Sequence, residues 1–190
     1  MLSFKQFLEE TQKHKSPDTS LNQVSAGLKH AVSKGLITPN SVNVDNGGGK
    51  YDAGKNHVES SIEGAKLHVL DPYNRSEEHN AEVLKNTKGK SDYVGMHNVL
   101  NVIQEPEYRK EALEKVKSLM KPKTGIAHIT IYQGDKSGNG RISKTNKKTG
   151  ETSWQEHRPT SSYIDEVKSV FPEETHEISH KKDHIIVRQK

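Results

Sequence analysis

The sequence predicts a doubly wound, Rossmann-like α/β fold: a mainly parallel sheet with helices on both faces and an antiparallel edge at the C-terminus. Three observations carry that prediction. Short apolar strand candidates alternate with helical patterns across 41–132. One strand candidate ends in Asp45 and runs into Gly47-Gly48-Gly49, and the next, Leu67-His68-Val69-Leu70, ends in Asp71. A last helical pattern is followed by two further short strands. Glycines let a backbone approach a ligand closely, and an acid at the tip of the second strand accepts hydrogen bonds from ribose hydroxyls. A doubly wound sheet holds a nucleoside-bearing ligand in this way.

A length of 190 residues suits one compact domain and is short for two. Hydrophobic residues make up 29% and charged residues 28%, so the core is small against the surface and some segments must be long and polar. The absence of cysteine excludes a disulfide framework, a thiolate metal site and a thiol nucleophile. No apolar run reaches membrane-spanning length, and the first residues lack the apolar block of a secretory signal. A cytoplasmic protein with no membrane contact is therefore expected. The net charge of +4 allows a polyanionic partner without requiring one.

Residues 1–15 pattern as an amphipathic helix with Phe4, Phe7 and Leu8 on one face, followed by a turn-rich break. Residues 1–20 are read as an N-terminal extension and 21–190 as the main domain. A helix over 21–36 sets Val24, Leu28, Val32 and Leu36 at intervals of four, before the glycine strand at 41–45. Tyr51 to Glu63 forms the next helix, with Val58 and Ile62 inward, and 66–71 the second strand. Ser76 suits an N-cap, and Glu77 and Glu78 suit the positive end of the helix that runs from it to Asn86. A strand at 93–96 exits through His97-Asn98-Val99-Leu100-Asn101. Pro106 opens the clearest helix, 106–120, whose apolar stripe includes Tyr108, Ala112, Val116 and Leu119. Lys121-Pro122-Lys123-Thr124-Gly125 stops it, and 126–132 is a run of strand formers suited to the centre of a parallel sheet. Residues 133–160 read as a basic, glycine-rich flap. A helix marked by Tyr163, Ile164, Val167 and Phe171 ends at Pro172, and strands near 175–179 and 184–188 close the chain.

This order of motifs resembles the class I S-adenosylmethionine-dependent methyltransferases. Asp45-Asn46-Gly47-Gly48-Gly49 matches that family's acid-ended strand and glycine loop, and Asp71 its ribose-holding acid. His97-Asn98-Val99-Leu100-Asn101-Val102-Ile103 matches its fourth-strand exit, and Met120-Lys121-Pro122-Lys123-Thr124-Gly125 the turn before its fifth strand. The match is close over 41–132 and loose over 160–190. The resemblance implies S-adenosylmethionine as cofactor, held by Asp45, Gly47, Gly48, Gly49, Tyr51, Asp71, Pro72, Tyr73, His97, Asn98 and Val99. Two departures stand out. Between Asn86 and Tyr93 there is no room for a normal third strand, so that strand is expected to be reduced or missing. The glycine pair of the later turn is also reduced to Thr124-Gly125. Asp71-Pro72-Tyr73-Asn74 differs from the signature of amino-group DNA methyltransferases, having one proline and following the second strand. The opening Met1-Leu2-Ser3-Phe4-Lys5-Gln6-Phe7-Leu8 resembles the start of many tailed-bacteriophage proteins, which implies a host bacterial cytoplasm.

Each candidate also has a plainer reading. Three adjacent glycines cost backbone entropy that a simple strand-to-helix turn does not require, while Asp71 would also serve as the cap of the turn before Pro72. His97, Asn98 and Asn101 sit where doubly wound folds place ligands and are the catalytic candidates. Asn98 would hydrogen-bond cofactor or substrate and His97 would act as a base near neutral pH; as plain caps they would only close the next turn. In the flap, Lys136, Arg141, Lys144, Trp154 and Arg158 are the substrate candidates. Cations with one aromatic would follow a phosphate backbone and stack on a base, making nucleic acid or a nucleotide the expected acceptor, against a solvated loop or hairpin. His176, His180 and His184 would share a face only on a helix, and their context is strand-like, so no metal is expected. Methyl transfer is the expected reaction. The alternatives are degradation of S-adenosylmethionine by a phage enzyme acting against restriction, or an inactive methyltransferase-fold module that binds a host protein.

Overall fold

The computed structural model describes residues 22–145 and 152–190; the extension expected at 1–20 lies outside the described residues. The main elements follow the predicted order. Helix α1 (Ala26–Ser33) starts at Ser25, whose hydroxyl accepts a 3.2 Å hydrogen bond from the Leu28 N–H. Then come β1 (Val42–Asn46), α2 (Ala53–Ser61), β2 (Lys66–Leu70), α3 (Glu77–Thr87) and β3 (Tyr93–His97). A 3-10 turn at Leu100–Val102 leads to α4 (Pro106–Leu119) and β4 (Ile126–Thr130). Ser76 caps α3 through the His79 N–H, and Pro106 occupies the first turn of α4, as their residue types predict.

The flap region is not an open loop. It folds into a hairpin of β5 (Asn139–Thr145) and β6 (Thr152–His157), with a register shift between Ile142 and Lys144, and β6 packs on the 3-10 turn. The chain finishes with α5 (Ile164–Val170), β7 (His176–Lys181) and β8 (His184–Gln189).

Six strands form one sheet in the order β2-β1-β3-β4-β8-β7. The pairings among β2, β1, β3 and β4 are parallel, and those of β4 with β8 and β8 with β7 antiparallel. Among the described residues no strand lies beyond β2, so the third strand implied by the resemblance is absent and β2 is a sheet edge. Exposed Lys66 at its start discourages pairing with another chain. At the turn after α4, Lys123 takes a left-handed φ of 70°, and a Cβ on Gly125 would lie 2.7 Å from the Lys121 nitrogen. The shortened Thr124-Gly125 sequence therefore keeps the one glycine that crowding demands.

Alternation along the strands divides the interior into two layers. Val44, Val94, Met96, Ala127, Ile129, Ile185 and Val187 pack under α4 and α5. On the opposite face Leu67 and Tyr93 meet Leu28, Ala31 and Val58 from α1 and α2. That second face also carries buried polar groups, Asn43, Asp45, His97, His128 and Thr130, and it is the face that shapes the site.

Candidate functional site

At the carboxyl ends of β1, β2 and β3 the sheet opens into a cavity of about 670 Å³, where a doubly wound sheet binds ligands. Asp45 and Asp71 are both buried and both line it, with Gly47, Gly48 and Gly49 between them. The loop is drawn onto the end of β2: Gly47 N–H donates to the Leu70 carbonyl at 2.7 Å, and Gly49 N–H donates to Asp71 Oδ2 at 2.8 Å. Asp71 Oδ1 accepts from the Tyr73 and Asn74 N–H groups, both at 2.9 Å, and from the Asn74 amide at 3.1 Å. The turn-capping role is therefore real. Oδ1 is filled, while Oδ2 has one protein donor and keeps a lone pair for a ligand hydroxyl.

Two residues that motif reading missed hold this arrangement. The Asn80 side chain brackets the Asp71 backbone, accepting from its N–H at 3.0 Å and donating to its carbonyl at 2.9 Å. Arg75 donates to the Gly49 carbonyl at 2.9 Å and to Asp52 at 2.7 Å. No spacing rule singles out an asparagine on α3 or an arginine in the preceding turn.

The glycines are required by crowding as well as by conformation. Gly47 has a φ of 86°, and a Cβ there would meet Val99 at 2.5 Å. One on Gly48 would come within 2.8 Å of Asp45 Oδ2 and 2.9 Å of Val69. Burial, and after it the charge of Asp71, lifts the Asp45 carboxyl to about 7.

Tyr51, Pro72, Tyr73, Asn98 and Val99 also line the cavity. Asn98 takes a left-handed φ of 58° and donates its N–H to the Thr130 carbonyl, leaving its side chain exposed. Asn101 is 1% exposed and also lines the cavity, yet neither its amide oxygen nor its amide nitrogen has a partner among the described residues. Leaving such groups unpaired costs about 1–3 kcal/mol each, which a polar ligand in the cavity would offset.

His97 reaches the cavity wall but does not have the expected chemistry. Its Nε2 meets the Tyr93 hydroxyl at 3.2 Å and its Nδ1 meets Thr130 Oγ1 at 3.1 Å. Burial, reinforced by His184, lowers its pKa to about 3. With both nitrogens engaged and its basicity lowered by burial, His97 lacks the properties of the expected base near neutral pH. Gly27 of α1 lies directly over the ring, where a Cβ would come within 2.1 Å.

Among the described residues, the expected substrate cations Lys136, Arg141 and Arg158 do not line the cavity. Arg158 donates to Glu166 at 2.6 Å, pairs with Glu156 at 3.6 Å and lies over the Tyr163 ring. Arg141 pairs with Asp135 at 2.9 Å and meets His157 at 2.6 Å. Lys136 sits in an exposed turn with a φ of 59°. The side chain of Lys144 lies outside the described residues, as do Lys147 and Lys148. Trp154 packs over Gly140 on the facing strand, where a Cβ would lie 1.8 Å from its ring. Its neighbour Gln155 lines the cavity instead, together with Tyr132 from the end of β4 and Gln23 and Ser25 at the start of α1.

No protein-family model matches the sequence, and no curated protein matches it. Solved structures do. The sugar N-methyltransferase KedS8 from Streptoalloteichus aligns at TM-score 0.56 and 8% identity, over 100% of this chain and 93% of that one. Human N-acetylserotonin methyltransferase in complex with S-adenosylmethionine aligns at TM-score 0.54 and 17% identity, over 86% of this chain and 52% of that one. The mitomycin 7-O-methyltransferase MmcR aligns at TM-score 0.52 and 14% identity, over 87% and 55%. The chain thus spans about half the length of the last two enzymes. At these identities the likeness is one of architecture. The parallel sheet with its antiparallel edge is the fold of the class I S-adenosylmethionine-dependent methyltransferases.

Proposed function

We propose that this protein binds S-adenosylmethionine in the cavity between the glycine loop and Asp71 and transfers its methyl group to a small acceptor. The observation that carries the reading is the convergence of Asp45, Asp71, the glycine backbone and the unpartnered Asn101 amide on one cavity. When bound, the cofactor supplies an electrophilic methyl group on a sulfonium. The free lone pair of Asp71 Oδ2 accepts from a ribose hydroxyl, and the Asn101 amide offers one donor and one acceptor to the polar part of the ligand. Asp45, ionised by a neighbouring ligand cation, neutralises it. Tyr51 and Tyr73 provide apolar ring faces at the mouth.

Methyl transfer asks the protein mainly to align acceptor, carbon and sulfur and to exclude water. A base is needed only for an acceptor that is protonated at working pH, so the loss of His97 from that role does not oppose the reaction. Arg141 and Arg158 are engaged by acids, which leaves these two flap cations less available to a nucleic-acid backbone. What the hairpin and β4 present to the cavity is the Gln155 amide and the Tyr132 ring, which suit a small, uncharged amine or hydroxyl acceptor. The opening residues support a phage product working in a bacterial cytoplasm.

Calorimetric titration with S-adenosylmethionine and S-adenosylhomocysteine tests the reading. One site per chain, with no consumption of S-adenosylmethionine until an acceptor is added, is expected. Turnover without acceptor would move the assignment to cofactor degradation, and no binding of either compound would remove the cofactor altogether.

A further inference from the structure

The layer beneath α1 contains a group of imidazoles that methyl transfer does not use. His30 on α1, His128 on β4 and His184 on β8 each offer a ring nitrogen, and these nitrogens all lie within 4.8 Å of one another. We infer that His30, His128 and His184 bind a divalent transition-metal ion of the zinc class, with a fourth position open to solvent. This site is independent of the cofactor reading.

The donor set fits that class. Neutral imidazole is a preferred ligand of zinc and its neighbours, and three histidines with one open position is an established coordination pattern. Tetrahedral bonds of about 2.0–2.1 Å place ligand nitrogens ~3.3 Å apart. His128 Nε2 and His184 Nδ1 already face each other at 2.9 Å. The His30 ring stacks on His184 with centroids 4.0 Å apart. His30 is half-buried at the edge of the cluster.

The outer partners point the same way. Metal-bound histidines usually donate their second N–H to an oxygen that fixes tautomer and orientation. His128 Nδ1 lies 2.9 Å from the Tyr93 hydroxyl, and His184 Nε2 lies 3.4 Å from Asp183 Oδ1. Packing alone gives no reason to fill this layer with imidazoles instead of aliphatic side chains.

A metal here would tie α1 to two strands of the sheet, and the start of α1 is a wall of the cavity. It would also set protons along a chain. With Nε2 of His128 on the metal, its Nδ1–H donates to Tyr93, the Tyr93 hydroxyl donates to His97 Nε2, and His97 Nδ1–H donates to Thr130.

The test uses the whole chain, freed of metal by a chelator and titrated with zinc chloride in a calorimeter. One equivalent should bind and the thermal midpoint should rise. His30→Gln and His184→Gln should each lose stoichiometric binding, while His180→Gln, an exposed histidine outside the cluster, should retain it. Asp183→Ala should weaken binding about 10-fold. Absence of saturable binding in the wild type, or its retention in folded His30→Gln and His184→Gln, overturns the proposal. If either variant fails to fold, X-ray absorption on the zinc-loaded wild type decides: three imidazole ligands support the site, and fewer overturn it.

Discussion

Asp45 shows at the residue scale how a ligand site is set against stability. Its carboxyl titrates near 7 in the folded protein, well above its ordinary value of 3.8, so the native state holds a proton that the unfolded chain has lost. Stability then falls as pH rises from about 4 to about 7, by up to ~1.4 kcal/mol per pH unit, and changes no further from this group above that. Asp45→Asn should therefore raise the thermal midpoint, with a gain that grows between about pH 4 and pH 7 in calorimetric scans, while weakening S-adenosylhomocysteine binding. Asn101 makes the same point with hydrogen bonds. Asn101→Leu keeps the branched shape and removes two unpaired buried groups, so urea unfolding should show a gain of at least about 1 kcal/mol beside a loss of ligand affinity. A variant that lost both stability and affinity would mark Asn101 as structural.

At the scale of elements, the glycine loop and the α4–α5 contact respond to different substitutions. Gly47→Ala places a side chain at a φ of 86° against Val99. It should cost ~1–3 kcal/mol and abolish ligand binding, with denaturation and calorimetry measuring the two effects. Glu166 on α5 is held between Arg109, at 2.7 Å, and Arg158, at 2.6 Å, and Arg109 also donates to the carbonyls of Ile103 and Gln104. Burial opposes ionisation of Glu166, but its hydrogen bonds to the two arginines outweigh that and lower its pKa. The stabilisation is therefore complete above about pH 5 and is lost as pH falls through the depressed value. Glu166→Gln should cost ~1.5–3 kcal/mol at neutral pH, and the difference from the wild type should close in acid unfolding curves.

At the scale of the molecule, the described residues form a six-stranded sheet and a separate two-stranded hairpin whose β6 packs on the 3-10 turn after β3. Because β5 and β6 pair only with each other, their amides should exchange with deuterium sooner than those of β1, β3 and β4, which are flanked on both sides. Equal protection in the two groups would show that the hairpin unfolds with the sheet. The missing strand beyond β2 was legible in advance, because the distance between Asn86 and Tyr93 leaves no chain to form it. So were the caps at Ser76 and Pro106, the acid-ended strands and the glycine turn. Each of those signals is written in neighbouring residues.

The chain's own local pattern was enough to place the helices and strands of the main sheet and to bring Asp45, the glycines and Asp71 to one end of it. Periodicity, capping and glycine conformation act over a few residues, and parallel pairing then aligns the strand tips. What each polar side chain does was settled only by folding. Arg158 is occupied by Glu166, Trp154 by Gly140, and His97 by Tyr93 and Thr130. His184, set aside from its spaced neighbours in the C-terminal segment, meets His30 and His128 instead. Those partners arrive from other elements, and charge pairing, burial and hydrogen bonding depend on distance in space, which spacing along a chain does not encode.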